Sequence, residues 1–241
     1  MNTSASKQPE QTLGLEKMYV VLCALFSVFI VICNLTYVKF VYLPALPFYT
    51  FEVSVGAMLY PIMFMLTDLI AEFYDKKRAT FCVRLAIAMN ITAALIVSGM
   101  DLLQATPWSK VDNAIFHQVF GHFGLAFFAN IIACYTAQLV DINLYLWIKK
   151  LTRGRGLWLR NNGSTAVSLL IDTCTAIILL TLMGILPKEQ MWNIIMNSYL
   201  YKLFITICNT PTFYLLVAMV KKFISPQKQE ISLITTELET A

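Results

Sequence analysis

Six long apolar stretches constrain the fold of this chain more than any other feature of its sequence. They lie at about 18–40, 50–73, 80–103, 121–148, 162–186 and 191–222. A stretch of roughly 20 apolar residues is long enough to cross a bilayer as a helix. The stretches are continuously apolar and lack a period of two, which favours helices over barrel strands. The sequence therefore predicts an all-α integral membrane protein with six transmembrane helices in one bundle.

The composition agrees with a membrane protein and excludes several other classes. Apolar residues make up 58% of the 241 and charged residues 13%, whereas soluble domains are about half apolar and a quarter charged. No basic tract is dense enough to bind nucleic acid. Each of the six cysteines lies inside an apolar run and no CxxC occurs. This pattern indicates buried thiols and predicts neither a disulfide framework nor a metal site, and no cofactor is predicted.

The distribution of lysine and arginine predicts the orientation. Thirteen of the 18 lie before the first span, after the second and fourth spans, and after the sixth, whereas Lys39, Lys110 and Lys188 lie in the other connections. Because short cytoplasmic loops are enriched in these residues, both termini are predicted to be cytoplasmic. The predicted organisation is a disordered cytoplasmic tail at 1–17, a transmembrane domain at 18–222 and a cytoplasmic tail at 223–241. The third loop, with Trp108 and Phe116, suits a short interfacial helix.

Polar residues at helical spacing lie inside three of the predicted spans. Each series marks one helix face: Asn130, Cys134, Gln138, Asp141 and Tyr145; Ser164, Ser168, Asp172 and Thr175; Lys202, Thr206 and Asn209. Facing inward together, these residues would line a polar cavity, because ionisable groups in lipid are costly and usually mark a pathway or a packed partner.

Asp172 and Lys202 fall near the middle of the membrane. A rise of about 1.5 Å per residue places each roughly 15 Å from one face of the bilayer, which is compatible with an ion pair between them. Such a pair could only fix helix packing, or one or both residues could face a ligand. Asn34 and Asn130 leave the same choice open between bonds across helices and a ligand role. Pro61 and Pro211 lie inside spans, where either could kink its helix.

The segment "TDLIAEFYDKKRA", 67–79, ends the second span with acids before it turns basic. Glu72 and Lys76 have the spacing of a favourable i, i+4 pair, and Glu72 is predicted to be a structural interfacial residue. Asp68 lies one turn deeper and has no cation four residues on. The sequence therefore predicts that the partner of Asp68 lies on another helix or in the cavity.

Four motifs together resemble the queuosine precursor transporter family of VUT proteins. They are "YPIMFMLTDLIAEFYDKKRA", "AQLVDINLY", "LWLRNNGSTAVSLLIDT" and "YLYK". The resemblance implies a multi-pass importer of the inner membrane for 7-deazaguanine bases, either queuosine precursors or queuine, that serves salvage for tRNA modification. One departure is Asp75, where many members have glycine, and this leaves the end of the second span open.

The residues and the implied substrate are chemically compatible. A guanine-like edge presents a ring N–H and an amino group, to which a carboxylate can accept two hydrogen bonds. The carbonyl on the opposite edge suits Asn, Gln or Lys, and the flat ring suits an aromatic wall. The predicted substrate-binding residues are Asn34, Asp68, Gln138, Asp141, Asp172 and Lys202.

Two other functions, a subunit of a vitamin importer and a membrane enzyme, fit the sequence less well. A substrate-binding subunit of an energy-coupling-factor vitamin importer has a similar size and span number, but "VLCALFSVFIVICN" lacks the small-residue docking motif that such subunits carry. No HExxH, GxSxG or metal-ligand cluster indicates an enzyme. Proton coupling through a carboxylate is compatible with a secondary transporter, and both a monomer and a homo-oligomer remain open.

Overall fold

The computed structural model describes the backbone of residues 7–37, 39–46, 49–121 and 125–239, and the side chains of 14–37, 39–44, 50–121 and 127–222. These residues form seven α-helices and one two-stranded sheet. Their bounds are α1 (Lys7–Thr36), β1 (Phe40–Leu46), β2 (Tyr49–Ser54), α2 (Tyr60–Phe73), α3 (Lys76–Asp101), α4 (Asn113–Phe120), α5 (Leu125–Leu151), α6 (Leu157–Leu182) and α7 (Met191–Glu239).

Six described segments are long and apolar enough to cross a membrane, which confirms the predicted six-helix architecture. They are Gly14–Thr36, Val55–Phe73, Lys76–Asp101, Phe127–Leu151, Leu157–Leu182 and Lys188–Lys222. The sides on which the termini lie stay a prediction, and so do the domain boundaries at 17 and 222. Residues 1–6 and 240–241 of the predicted tails lie outside the described residues.

A β-hairpin replaces the C-terminal end of the first predicted span and the N-terminal end of the second. The bounds 18–40 and 50–73 were wrong here, because α1 ends at Thr36 and the second span begins with a 3₁₀ turn at Val55–Leu59. Strands β1 and β2 pair antiparallel, with Phe40 opposite Ser54. The signal was present in the alternation of polar and apolar residues in "TFEVS", which places one face of β2 against α7.

The apolar face of the hairpin packs on α7. Phe51 and Val53 are buried beside Tyr201, and the Phe51 ring lies 5.8 Å from the Tyr201 ring and 6.2 Å from the Phe204 ring. The Ser54 hydroxyl donates to the carbonyl of Tyr37 at 2.6 Å, which ties the end of the hairpin to the end of α1. This anchoring fixes the hairpin over one end of the bundle.

Short, capped connections define the helix ends. The Asp75 carboxylate accepts a 2.7 Å hydrogen bond from the backbone N–H of Arg78 and caps α3. Asp75 therefore marks the start of the third span. Gly154 and Gly184 have positive φ values of 77° and 75° just beyond α5 and α6, the conformation that favours glycine at a helix end.

The core lies among the inner faces of α1, α2, α3, α5, α6 and α7, where large apolar side chains such as Phe26, Phe64 and Phe213 are fully buried. The outer faces also carry large apolar side chains, and Leu95, Trp147 and Leu215 are more than half exposed. An apolar exterior of this kind faces lipid rather than water. Helices α5 and α6 form an extensive antiparallel contact within the bundle.

The predicted short helix of the third loop is present as α4. Asp112 caps it by accepting from the backbone N–H of Ile115 at 2.8 Å. His117 Nδ1 lies 2.6 Å from Asp101 Oδ2, which links α4 to the end of α3. Its place in the membrane interface stays a prediction.

Candidate functional site

A cavity of about 520 Å³ lies at the hairpin end of the bundle. This volume is within the range of small-molecule sites, which are mostly apolar with a few placed polar groups. The walls come from α1, the 3₁₀ turn before α2, and helices α5, α6 and α7. Phe40 and Ile185 lie at its rim and are exposed, whereas Lys202 and Asp172 lie in its wall and are buried. The open side of the cavity therefore lies at the end of the bundle where the hairpin packs.

An ion pair between α6 and α7 forms the charged part of the cavity wall. Lys202 Nζ lies 2.8 Å from Asp172 Oδ2 and donates to Thr173 Oγ1 at 3.1 Å. It also lies 4.2 Å from the centre of the Tyr60 ring, which adds a cation–π contact. The ion pair that the predicted depths of Asp172 and Lys202 made possible is therefore present. Asp172 Oδ1 is buried and has no hydrogen-bond partner among the described residues.

Two asparagines and a tyrosine add to the polar lining. Asn34 donates to the carbonyl of Ile30 at 3.0 Å, and both Asn34 and Asn130 line the cavity. The Tyr37 hydroxyl is buried and without a described partner. Burial raises the pKa of the Tyr37 phenol, so this group remains a neutral hydrogen-bond donor near pH 7.

Three of the six predicted binding residues lie in this cavity and three do not. Asn34, Asp172 and Lys202 line it. Asp68, Gln138 and Asp141 are absent from its wall and form a second, fully buried cluster between α2, α5 and α6. The sequence grouped all six because each lies on an inward polar face, but helical spacing does not give the depth at which a cavity closes.

The second cluster contains an unusual pair of acids. Asp68 and Asp141 are 0% exposed and interact electrostatically with each other. None of their four carboxylate oxygens has a hydrogen bond of ordinary geometry from the described residues. Gln138 Oε1 accepts from Thr67 Oγ1 at 2.9 Å. Of the two places predicted for the partner of Asp68, another helix or the cavity, the structure places the interacting group on another helix, and that group is the carboxyl of Asp141.

A third polar cluster closes the opposite end of the bundle around Glu72. Arg160 Nη2 lies 2.7 Å from Glu72 Oε1, and Lys149 Nζ lies 3.0 Å from Glu72 Oε2. Tyr145 donates to the same carboxylate at 3.1 Å, and Arg160 also donates to the carbonyl of Gly154 at 2.8 Å. The guanidinium is almost fully buried. These contacts tie α2, α5 and α6 together.

The predicted pairing of Glu72 with Lys76 is wrong. Helix α2 ends at Phe73 and Lys76 begins α3, so the two residues are not on one continuous helix. Lys76 is exposed, and the Glu72 carboxylate points into the bundle instead. The role of Glu72 as a structural residue fits this geometry, although its partners are Arg160 and Lys149 rather than the neighbouring basic loop.

The three clusters follow one another along the bundle. On α6, Asp172 belongs to the cavity, Ser168 and Ser164 approach Asp141, and Arg160 belongs to the closed end. The 12 residues from Asp172 to Arg160 correspond to about 18 Å of helix. The bundle therefore has a polar path through its interior, with an open cavity at one end and an ion-pair network at the other.

Arg160 is the functional candidate that the sequence interpretation missed, because it was counted as a loop cation. Its position continues the spacing of the polar face on α6, four residues before Ser164. Extending that series by one turn would have identified it. Tyr60 carries a weaker signal, since an aromatic residue before a proline does not reveal that its ring faces a lysine on α7.

The chain is similar to a known protein family and to a curated protein. The family model described as "Putative vitamin uptake transporter" matches residues 54–216. A curated protein of Bacillus subtilis (strain 168), named "Probable queuosine precursor transporter", is 29% identical over 164 residues, which cover 67% of this chain and 70% of that protein. No solved structure matches the chain. The family match begins at the last residue of β2, includes the acid pair and the cavity residues of α5, α6 and α7, and ends about halfway along α7, whereas Asn34 and the rest of the α1 wall lie outside it.

Proposed function

Because the chain belongs to the vitamin uptake transporter family, we propose that it is a secondary transporter that imports queuosine precursors of the 7-deazaguanine class. Family membership supports transport rather than catalysis as the role of this chain. The name of the Bacillus subtilis relative supports the substrate class and does not favour the alternative of an energy-coupling-factor subunit.

One observation carries the substrate proposal: Asp172 and Lys202 share the wall of a cavity of about 520 Å³. We assign the buried Asp172 Oδ1, which has no described hydrogen-bond partner, to the ring N–H or amino group of a guanine-like edge, and this contact requires the oxygen to become accessible when substrate binds. The Lys202 ammonium is a donor for the carbonyl oxygen on the opposite edge of the base. The Tyr60 ring beside Lys202 supplies an aromatic surface for a flat heterocycle.

Asn34 extends this donor and acceptor set from α1. The structure leaves the Asn34 side chain at the cavity wall while its amide nitrogen donates within its own helix. Its carbonyl oxygen is therefore the atom we assign to the substrate. Asp68, Gln138 and Asp141 are not assigned direct contacts in this state, because the cavity does not reach them.

The geometry also supports alternating access. The cavity opens beside the hairpin, while Glu72, Arg160 and Lys149 close the far end. We assign the hairpin end to the outside and the Glu72 end to the cytoplasm, with both termini cytoplasmic, because the basic loops lie at the Glu72 end. Import then requires the Glu72 network to separate after the substrate has bound and the hairpin end has closed.

Three further features belong to the same proposal. The protein lies in the bacterial inner membrane, its import is coupled to a cation gradient such as that of protons, and its oligomeric state is left open between a monomer and a homo-oligomer. Coupling is proposed because the substrate path contains buried carboxylates, which in membrane transporters commonly accompany ion or proton transfer.

The test is uptake of a labelled 7-deazaguanine base by cells that cannot make queuosine. We expect uptake with the wild-type chain and its loss with Asp172→Asn or Lys202→Met. Lys188→Met is the matched control, since Lys188 is exposed outside the cavity. Uptake of no such base contradicts the transport function, and normal uptake by both cavity variants at normal membrane levels contradicts the site.

A further inference from the structure

The acid pair between the cavity and the Glu72 network has no role in the substrate contacts proposed above. Asp68 on α2 and Asp141 on α5 are both 0% exposed and lie next to each other. No described ion pair includes either residue. None of the four carboxyl oxygens has a hydrogen bond of ordinary geometry, although the two carboxyl groups interact with each other and the α6 hydroxyls lie close to them. Two adjacent carboxyl groups without a described basic partner are therefore enclosed in the bundle.

The surroundings do not supply the missing positive charge. The groups that face the pair are the hydroxyls of α6 and, from α2 and α5, the carboxylate of Glu72 and the phenol of Tyr145. Glu72 adds negative charge. Arg160 and Lys149 are already bonded to Glu72 at 2.7 and 3.0 Å. A buried carboxylate is strongly unfavourable unless it is paired or protonated, so two adjacent carboxyl groups are expected to hold a proton or another cation between them.

A second observation points to the same place. Ser164 is 0% exposed, and its hydroxyl has no described hydrogen-bond partner although it approaches Asp141. Ser168 and Thr165 lie on the same side of Asp141. The pair is thus surrounded by oxygen atoms from three helices, and oxygen ligands are those that hard cations prefer.

We propose that Asp68, Asp141 and Ser164 form a binding site for one monovalent cation, a proton or a sodium ion, distinct from the substrate cavity. The site lies within one or two helical turns of Asp172, since Ser168 and Ser164 precede it on α6. It also adjoins Glu72, which follows Asp68 by one turn on α2. Charge at this site therefore acts on the electrostatics of both the cavity and the closed end.

The coupling role rests on the proposed transport function. With the site occupied, the cation offsets one of the two negative charges of the acid pair, and the bundle between cavity and network is closed around it. Loss of the cation leaves two repelling carboxylates beside Glu72, which favours separation of α2 from α5 and so opening of the far end. Release of the cation and release of the substrate then occur in the same conformation.

The site itself is tested without substrate, on the purified full chain. A bound proton gives the infrared carbonyl band of a protonated carboxyl group at neutral pH. A bound sodium ion gives a rise in the unfolding temperature with NaCl that KCl and choline chloride do not reproduce. We expect one of the two signals in the wild type and its loss in Asp68→Asn/Asp141→Asn. The exposed Glu189 provides the control, Glu189→Gln.

Each outcome decides the proposal. Absence of both signals in the wild type, or the same signal in the double variant, overturns it. Should the double variant fail to fold, the single variants Asp68→Asn and Asp141→Asn replace it. Loss of the signal, or a changed band frequency, in either single variant supports the site, and an unchanged signal in both overturns it.

A transport measurement separates this inference from the proposed function. In proteoliposomes, exchange of labelled 7-deazaguanine base without any gradient reports transport alone. An imposed pH or sodium gradient of tenfold is expected to drive on the order of tenfold accumulation for one-to-one coupling, and Asp141→Asn is expected to exchange without accumulating. Absence of exchange contradicts the proposed function, whereas exchange that ignores both gradients overturns only the coupling.

Discussion

Individual residues show how far sequence reasoning reaches into this protein. The depths of Asp172 and Lys202 followed from the helical rise, and the 2.8 Å contact between them agrees with those depths. What the sequence could not give is the rotation of each helix about its axis. That rotation places Asp68 against Asp141 rather than in the cavity, and it turns Arg160 inward where a loop cation was expected.

Removing one member of the Asp172–Lys202 pair is expected to destabilise the protein more than removing both. Lys202→Met leaves a buried carboxylate unpaired, and Asp172→Asn leaves a buried ammonium, each at a cost of about 3–5 kcal/mol. The double variant contains neither charge and is expected to regain most of that stability while remaining unable to transport. Thermal unfolding in detergent and uptake in cells measure the two effects separately.

The comparison rests on a double-mutant cycle. Lys188→Met serves as the control for removal of an exposed lysine. Additive losses in the double variant would show that the two charges do not interact, contrary to the observed contact.

At the scale of elements, the long apolar helices were predictable and the hairpin was not. Six apolar runs specify six helices because each can satisfy its own backbone hydrogen bonds in lipid. The hairpin is a short element whose stability comes from packing on α7 and from its ties to α1. When spans are located by hydropathy alone, such a short element is merged into the neighbouring spans.

The approach of the 3₁₀ turn to α1 depends on Gly56. A Cβ at this position would lie 2.3 Å from the carbonyl oxygen of Cys33 and 3.0 Å from the Cα of Tyr37, both backbone atoms. Gly56→Ala is therefore expected to push the turn away from α1, lower the unfolding temperature and reduce uptake, because Gly56 also lines the cavity. Gly99→Ala is the control, since nothing lies within 4 Å of its Cβ.

The contrast between the two alanine variants carries the test. At position 99 in α3, alanine is expected to leave the stability of the protein unchanged or to raise it by up to about 1 kcal/mol, because alanine has a higher helix propensity than glycine. Equal stability of the Gly56 and Gly99 variants would mean that the close approach of the turn does not constrain the fold.

The Glu72 network is expected to hold α2 against α5 and α6. Glu72→Gln removes the charge that pairs with the buried Arg160 guanidinium, and breaking a buried ion pair of this kind costs about 3–5 kcal/mol. We expect a lower unfolding temperature and a more open far end. The second effect is measured by the reaction of a cysteine introduced at Ser164 with a water-soluble thiol reagent.

That cysteine is fully buried in the intact network, as Ser164 is 0% exposed. Its labelling should rise in Glu72→Gln and stay low in the exposed-residue control Glu189→Gln. Low labelling in both would show that Glu72 stabilises the bundle without controlling access to its interior.

At the scale of the whole molecule, the charges of the two ends predict the orientation. Lys149 and Arg160 are engaged with Glu72, and Arg78 pairs with Glu16 at 2.6 Å. The remaining described cations of the same two loops are exposed: Lys76, Lys77, Lys150, Arg153 and Arg155. The opposite end holds few cations. The excess of lysine and arginine at the Glu72 end therefore remains when the three cations in internal ion pairs are left out of the count.

Cysteine labelling of intact cells tests this orientation. With Cys174→Ser and Cys208→Ser as the background, because the other four cysteines are buried, single cysteines are placed at Lys110, Lys77 and Arg155, all exposed. An impermeant maleimide is expected to label position 110 in intact cells, and positions 77 and 155 only after permeabilisation. The reverse pattern would invert the bundle and turn the cavity toward the cytoplasm. The structure would then represent the state that releases substrate rather than the state that receives it.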